Sequence, residues 1–279
     1  MGREFSLTVL CDNTVNRPAL LGEHGLAVLV EIEGPSGTKR VLFDTGQGLT
    51  LLHNARVLGA ALRALDAVVL SHGHYDHTGG LAELSRIGVR PPVYCHSRAF
   101  LQKFQEEDGS LRKTGAPWQV EELEKAGFEF VPVTAPCEIL PGVILSGEIP
   151  RVRKPPACPG ALVEEEGRLT ADCFFDEIAM VLEGKRGAVV VTGCGHPGLE
   201  NILAAACSAA CAKNLRGLAG GFHLARENAK VVREAAGVVA AYGIKEVLAC
   251  HCTGRAFPLP LAERGVRCCP GEVGLVWRP

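Results

Sequence analysis

The chain has 279 residues, 47% of them hydrophobic, and a formal net charge of -2 at pH 7. That apolar content is ample for a large core without disulfides or a structural metal, and the near-neutral balance excludes the broad basic face of a nucleic-acid binder. No apolar run approaches the roughly 20 residues of a membrane span, and the opening Met1-Gly2-Arg3-Glu4-Phe5-Ser6-Leu7 lacks the apolar core of an export signal.

The start also fits the loose N-myristoylation pattern, with Gly2 and Ser6 in place. The same residues lead straight into an apparent strand, and the strand is the preferred reading. The twelve cysteines contain no Cys-x-x-Cys pair, which argues against zinc-ribbon and iron–sulfur readings. Together with the missing export signal, this predicts a cytoplasmic protein whose thiols are reduced and mostly serve as small apolar residues. Cys194 is the exception.

In chain order, strands are predicted over Phe5–Leu10, Ala27–Glu33 and Lys39–Asp44, with Gly34-Pro35-Ser36-Gly37 turning between the last two. A helical stretch from Leu49 to Leu65 follows. Then Asp66-Ala67-Val68-Val69-Leu70 runs as a buried strand into Ser71-His72-Gly73-His74-Tyr75-Asp76-His77. Three imidazoles and a carboxylate within six positions form a His-x-His-x-Asp-His cluster, and Gly73 and Gly79-Gly80 let the backbone turn tightly around it. Mixed nitrogen and carboxylate donors suit zinc, iron or manganese better than the all-oxygen shells of calcium or magnesium. This is a metal-binding motif.

A short helix over Leu81–Ile87 and a strand over Pro92–Cys95 come next. From Lys103 to Glu124 the sequence turns polar and irregular, with Glu106-Glu107-Asp108-Gly109 and Thr114-Gly115-Ala116-Pro117-Trp118. It reads as a lid-like insertion near 103–124, or more plainly as a solvated connection. Strands then follow over Phe128–Thr134, Val143–Ser146, Glu177–Leu182 and Ala188–Val191. Two βα units close the chain, with helices after Pro197 and from about Arg226 and strands near Leu215–Gly220 and Glu246–Ala249. Strands followed by helices in each half predict one α/β domain over residues 1–279, two sheets stacked between helical layers.

Three of the late strands end in histidine: His196 after Val191-Thr192-Gly193-Cys194-Gly195, His223 after Gly220-Gly221-Phe222, and His251 after Ala249-Cys250. Strand C-termini are where α/β proteins place functional side chains. His24, His53 and His96 lack such a context and read as ordinary polar residues. His223 is open between ligand, general acid, substrate contact and buried core histidine. Gly193 to Gly198 either presents N–H groups to an anion or simply packs helix against strand. The basic run Arg151, Arg153 and Lys154 either reaches a substrate phosphate or lies in a solvated loop. Arg151, Gly195 and Gly221 are the candidate substrate contacts.

At this point the chain resembles the metallo-β-lactamase-fold superfamily, a four-layer αββα sandwich, on the cluster from His72 to His77 and on Asp44 in Phe43-Asp44-Thr45-Gly46. Thr192-Gly193-Cys194-Gly195-His196-Pro197-Gly198, Gly220-Gly221-Phe222-His223 and His251-Cys252-Thr253-Gly254 look like one branch of it. That branch is named for 7,8-dihydropterin-6-methyl-4-(β-D-ribofuranosyl)aminobenzene-5′-phosphate synthase. The resemblance implies one metal on His72, His74 and His196 and a second on Asp76, His77 and His251, with Asp44 behind them. Superfamily hydrolases usually add an aspartate that bridges both ions. Here the corresponding turn carries Cys194, which either takes that place or leaves the site without a protein bridge and the second ion partly occupied.

The implied activity is metal-dependent hydrolysis of a small ester or phosphoester, a pterin-related phosphate being the candidate that the branch implies, with Asp76 and His223 as candidate catalytic groups and two zinc ions as cofactor. Iron or manganese are the alternatives, and iron would open oxidoreductase chemistry. The competing functions are a transferase joining a dihydropterin diphosphate to an aryl amine phosphate, and a metal-dependent pterin binder. A small-molecule substrate is implied throughout, with neither nucleic acid nor membrane as partner.

Overall fold

The computed structural model describes residues 3–35, 37–211 and 214–279. Two seven-stranded sheets lie face to face. In the first, the strands run in the order Val276–Trp277, Glu4–Cys11, Ala27–Gly34, Gly37–Phe43, Ala67–Val69, Val93–Cys95 and Phe130–Pro132. In the second they run Arg267–Pro270, Glu246–Ala249, Leu215–Gly220, Gly187–Thr192, Met180–Gly184, Val143–Leu145 and Cys137–Leu140.

The period-two pattern of strand side chains explains the layers. Val28 and Val30 face inward with Val41 and Phe43 to meet Met180, Leu182, Val189 and Val191 of the other sheet. Ala27, Leu29 and Leu42 face outward onto Leu51 and Ala55 of the helix Leu51–Leu58 and Leu81 and Leu84 of the helix Leu81–Arg86. On the other flank, Val190, Leu218 and Val247 meet Ile202, Leu203 and Ala206 of Leu199–Ala209 and Val232, Ala236 and Val239 of Ala229–Ala241. Each such fully buried aliphatic side chain contributes about 1.5–3 kcal/mol. The four-layer αββα sandwich is what the strand-then-helix order predicted.

The sheets are mixed, and their parallel parts position the site. Gly37–Phe43, Ala67–Val69 and Val93–Cys95 pair in parallel, as do Gly187–Thr192, Leu215–Gly220 and Glu246–Ala249. Asp44, the His72–His77 cluster, Cys194, His196, His223 and His251 all follow the C-terminal ends of these strands. The predicted helix Leu49–Leu65 is shorter than its apolar pattern suggested. It stops at Gly59, which takes a left-handed φ of 67°, and a 3-10 turn at Leu62–Ala64 completes the segment.

The segment 103–124 is neither irregular nor loose. Lys103–Glu107 and Ser110–Lys113 form a hairpin, and Val120–Lys125 is a helix. The hairpin joins Ala161–Glu165 and Arg168–Ala171 in a third, four-stranded sheet that was not anticipated. Both hairpins turn on two residues with positive φ, Asp108-Gly109 and Glu166-Gly167, the type I′ arrangement that matches strand twist. This sheet abuts the metal-binding motif: Tyr75 N–H donates to the Thr114 carbonyl at 3.0 Å, and the Trp118 indole N–H to the Thr78 carbonyl at 3.1 Å. The Gly2 acylation pattern and Ser36 of the predicted turn lie outside the described residues.

Candidate metal centre

Two groups of donors converge where the parallel strands end. In the first, one ring nitrogen each from His72, His74 and His196 lie within 4.8 Å of one another, and His72 Nε2 is 3.0 Å from His74 Nδ1. In the second, Asp76 Oδ2 is 3.4 Å from His251 Nε2 and 3.8 Å from His77 Nε2. The first of the sequence-predicted sets thus lies together as one group, while in the second Asp76 stands between His77 and His251, which is 175 residues further along the chain. His77 Nε2 is also 3.2 Å from Cys194 Sγ, which places that thiol among the donors.

The outward contacts of the rings fix which nitrogen carries the proton. Ser71 spends its only hydroxyl proton on Asp44 Oδ2 at 2.7 Å, so its oxygen accepts from His72 Nδ1 at 2.9 Å. His77 Nδ1 donates to Asp44 Oδ2 at 2.7 Å, and His196 Nδ1 to Glu177 Oε2 at 2.7 Å. Asn13 Oδ1 accepts from the Gly25 N–H at 3.1 Å, which settles its amide orientation, and so also accepts from His251 Nδ1 at 2.8 Å. Four imidazoles thus turn Nε2 to the interior. Inward-turned imidazoles gathered beside a carboxylate and a thiol are a donor set whose chemistry fits a metal.

Electrostatics agree. Burial, then the neighbouring His196, pulls His74 down to about 3, and burial holds His72, His196 and His251 well below the usual imidazole range. All four are neutral at pH 7, as ligands must be. Burial opposes charge on His77 too, but Asp44 and Asp76 outweigh it and carry His77 up to about 9. A proton there takes the place of positive charge between two carboxylates. Burial alone would push the Asp76 carboxyl up; His77, His24 and His251 prevail and hold it well below the usual carboxylate range. The backbone is strained around the site as well. Asp44, Phe174, His223 and His251 have φ of 57°, 52°, 51° and 50°, each a left-handed conformation uncommon for residues other than glycine.

Several predicted contacts turn out otherwise. The N–H groups of Gly195 and His196 do hold an anion, but an internal one: they donate to the buried Glu177 carboxylate at 2.6 and 3.1 Å. Gly221 donates to the Gly193 carbonyl at 3.0 Å, and a Cβ there would fall 2.7 Å from Cys252 Sγ, so its role is close packing. The Arg151 guanidinium is occupied by the carbonyls of Ile149, Cys173 and Phe174 at 2.5, 2.9 and 2.7 Å. It braces the loop that stacks Phe174 flat on His196, ring centroids 3.9 Å apart, instead of standing free for a phosphate. The His223 ring lies half-buried, 4.8 Å from that of His196 and outside both donor groups.

Other residues were missed. Glu177 read only as the start of a strand, yet it is fully buried and anchors the turn carrying His196. His24, read as an ordinary polar residue, places Nε2 3.1 Å from Asp76 Oδ2. Since Asn13 Nδ2 donates to His24 Nδ1 at 3.1 Å, the His24 proton sits on Nε2 and points at Asp76. His24 is therefore a donor to the carboxylate, although its position alone would also suit a ligand. A Glu-His-Gly run before an apolar strand was the available signal.

The metallo-beta-lactamase superfamily model matches residues 21–172, and the chain belongs to that superfamily. It is 31% identical over 244 residues to the 7,8-dihydropterin-6-methyl-4-(beta-D-ribofuranosyl)-aminobenzene-5'-phosphate synthase of Methanocaldococcus jannaschii, across 83% of this chain and 81% of that protein. Tm1679, a metal-dependent hydrolase of the beta-lactamase superfamily, has a similar structure, with a TM-score of 0.83 at 32% identity over 98% of both chains. Zn(2+)-bound PqqB from Methylobacterium extorquens shares the fold, with a TM-score of 0.57 at 12% identity over 98% of this chain and 99% of that one. Among the described residues, no helix is long and apolar enough to cross a membrane.

Proposed function

We propose that this chain is a two-metal enzyme that breaks an ester or phosphoester bond in a small substrate. One observation carries the reading: five donors, the Nε2 atoms of His72, His77, His196 and His251 and the Asp76 carboxylate, are turned inward by partners that fix their protonation. His72, His74 and His196 would hold one ion and Asp76, His77 and His251 the other, zinc being the ion that imidazole-rich sets favour. When bound, such ions polarise an ester or phosphoryl oxygen and stabilise the charge of the departing group.

The chain's own residues supply orientation. Asp76 is a carboxylate at neutral pH and so can accept a hydrogen bond from an attacking nucleophile and orient it. His24 Nε2–H steadies the Asp76 oxygen it contacts. Glu177 and Phe174 fix His196 from its Nδ1 edge and its face. His223, half-buried beside His196, stands where it can meet a bound substrate.

Asn13 offers a direct check on this arrangement. Asn13→Leu leaves His251 Nδ1 and the Gly25 N–H without their acceptor, and supporting partners of this kind are worth about 10–100-fold in metal affinity. Competition with a chelator should show the second ion weakened by that factor while the first is retained. Equal weakening of both ions would argue against separate sets.

A second reading, favoured by the 31% identity to the M. jannaschii synthase, is that the acceptor is an aryl amine instead of water. The substrate would then be a dihydropterin diphosphate, the product a coupled pterin. Metal-loaded protein incubated with a dihydropterin diphosphate and an aryl amine phosphate, alongside a panel of esters and phosphoesters in water, separates them. Coupled product identifies a transferase. Hydrolysis in the panel with no coupling identifies a hydrolase, and failure of both with a thermal shift by pterin leaves a binding protein.

A further inference from the structure

Sulfur is built into the metal centre, most densely beside His251. Cys194 Sγ, Cys252 Sγ and a ring nitrogen of His251 lie within 4.8 Å of one another, and Cys194 shares a similar cluster with His72 and His77. Cys194 is buried, but its thiol faces imidazole nitrogen at 3.2 Å and not an apolar pocket. Cys252 is half-buried, held by the His223 N–H at 3.3 Å and turned to the Cys194 carbonyl at 3.4 Å. The absence of a side chain at Gly221 makes room for it, since a Cβ would collide with its sulfur. These two thiols come from turns after Gly187–Thr192 and Glu246–Ala249, parallel strands of one sheet with Leu215–Gly220 between them, so the fold brings them together without help from a disulfide.

We propose that Cys194 and Cys252 are thiolate ligands of the second ion, shared with His251, so that this position adds soft sulfur to the Asp76, His77 and His251 donors while the first is all nitrogen. The inference rests on the two-ion reading above. On binding, each thiol releases its proton to solvent as the sulfur–metal bond forms, and no electron is transferred. Thiolate selects zinc, cadmium and cobalt over manganese or magnesium, so the two halves would differ in the metals they accept.

Cobalt(II) titration of the metal-free protein tests this without reference to turnover. A thiolate-to-cobalt charge-transfer band in the near ultraviolet should rise with the second equivalent and not the first. Cys252→Ser should remove roughly half of it, the Cys194→Ser/Cys252→Ser pair all of it, and Cys207→Ser, remote on the helix Leu199–Ala209, none. Two ions bound without the band overturn the thiolate assignment and leave the two-ion reading standing; a single bound ion overturns both. A second measurement uses only the unaltered protein. Cys252 should react with iodoacetamide in the metal-free state and be slowed by about tenfold or more on loading two equivalents of zinc. Equal rates in both states overturn the proposal.

Discussion

Asp76→Asn should lower turnover by about 10²-fold or more, the penalty for misplacing a reacting group, and should cost the protein its second ion but not its first. The substitution keeps size and one carbonyl oxygen while removing the charge. Asp76 is buried, and what keeps it ionised is the ring of donors around it: His24 Nε2 at 3.1 Å, His251 Nε2 at 3.4 Å and His77 Nε2 at 3.8 Å. Of these only His77 lies beside a member of the other set, its ring centroid 4.3 Å from that of His72. Metal analysis after dialysis should therefore give about one ion per chain in the variant against two in the parent. Activity is measured on whichever substrate class the parent accepts. If Asp76→Asn retained both ions and full turnover, Asp76 would be neither ligand nor orienting group and the proposed chemistry would fail.

What made the site legible was chemistry concentrated in short sequence. The cluster from His72 to His77 announces itself, and strand-end histidines beside glycine could be picked out because parallel strands deliver residues to one edge. The fold followed from period-two strands and amphipathic helices, with ends displaced by a few residues. What stayed hidden were partners set by tertiary contact. Asn13 serves two histidines, His24 and His251, and nothing near position 13 foretells the second, 238 residues away. Glu177 heads the apolar run Ile178–Leu182, where an acid with no visible partner was absorbed into a strand. Cys252 was set aside with the other cysteines because reactivity depends on surroundings and not on spacing. The third sheet was overlooked for a different reason: its outer strands Ser110–Lys113 and Arg168–Ala171 are short and exposed at every residue, and the polar run around the first suggested a loop, although Asp108-Gly109 is the turn chemistry of a hairpin.

Lys103→Met should destabilise the protein by about 3–5 kcal/mol, the cost of leaving buried charge unpaired, and lower the melting temperature by on the order of 10 °C. Lys103 reads in the sequence as the first residue of a solvated segment. In the fold its side chain is 2% exposed, with Nζ 2.6 Å from Asp172 Oδ2 and 3.0 Å from Asp176 Oδ1. Asp176 uses its other oxygen to accept the Gly73 N–H at 2.9 Å, between His72 and His74. The lysine thereby ties the third sheet to the metal-binding turn, and its loss strands two carboxylates beside that turn.

The triple variant Lys103→Met, Asp172→Asn, Asp176→Asn separates charge from packing. It removes all three charges, keeps an oxygen for Gly73 and should recover most of the loss, because a buried ion cluster adds little beyond a neutral replacement of the same shape. The pH dependence has a definite sign. Burial works against the charge on Lys103, but Asp176 and Asp172 raise its pKa, so its contribution is complete below about 10 and fades as pH rises through the folded value. Burial likewise opposes ionisation of Asp176, but Lys103 and the Gly73 N–H lower its pKa. That contribution is complete above about pH 4 and is lost as pH falls through the folded value. The gap between the parent and Lys103→Met should therefore narrow above about pH 10 as the parent loses the Lys103 charge, and narrow on the acid side as the stranded, buried Asp176 takes up a proton in the variant. A gap below about 1 kcal/mol at pH 7, the worth of an exposed pair, would mean that water reaches the cluster and that the third sheet is held to the metal turn by other contacts.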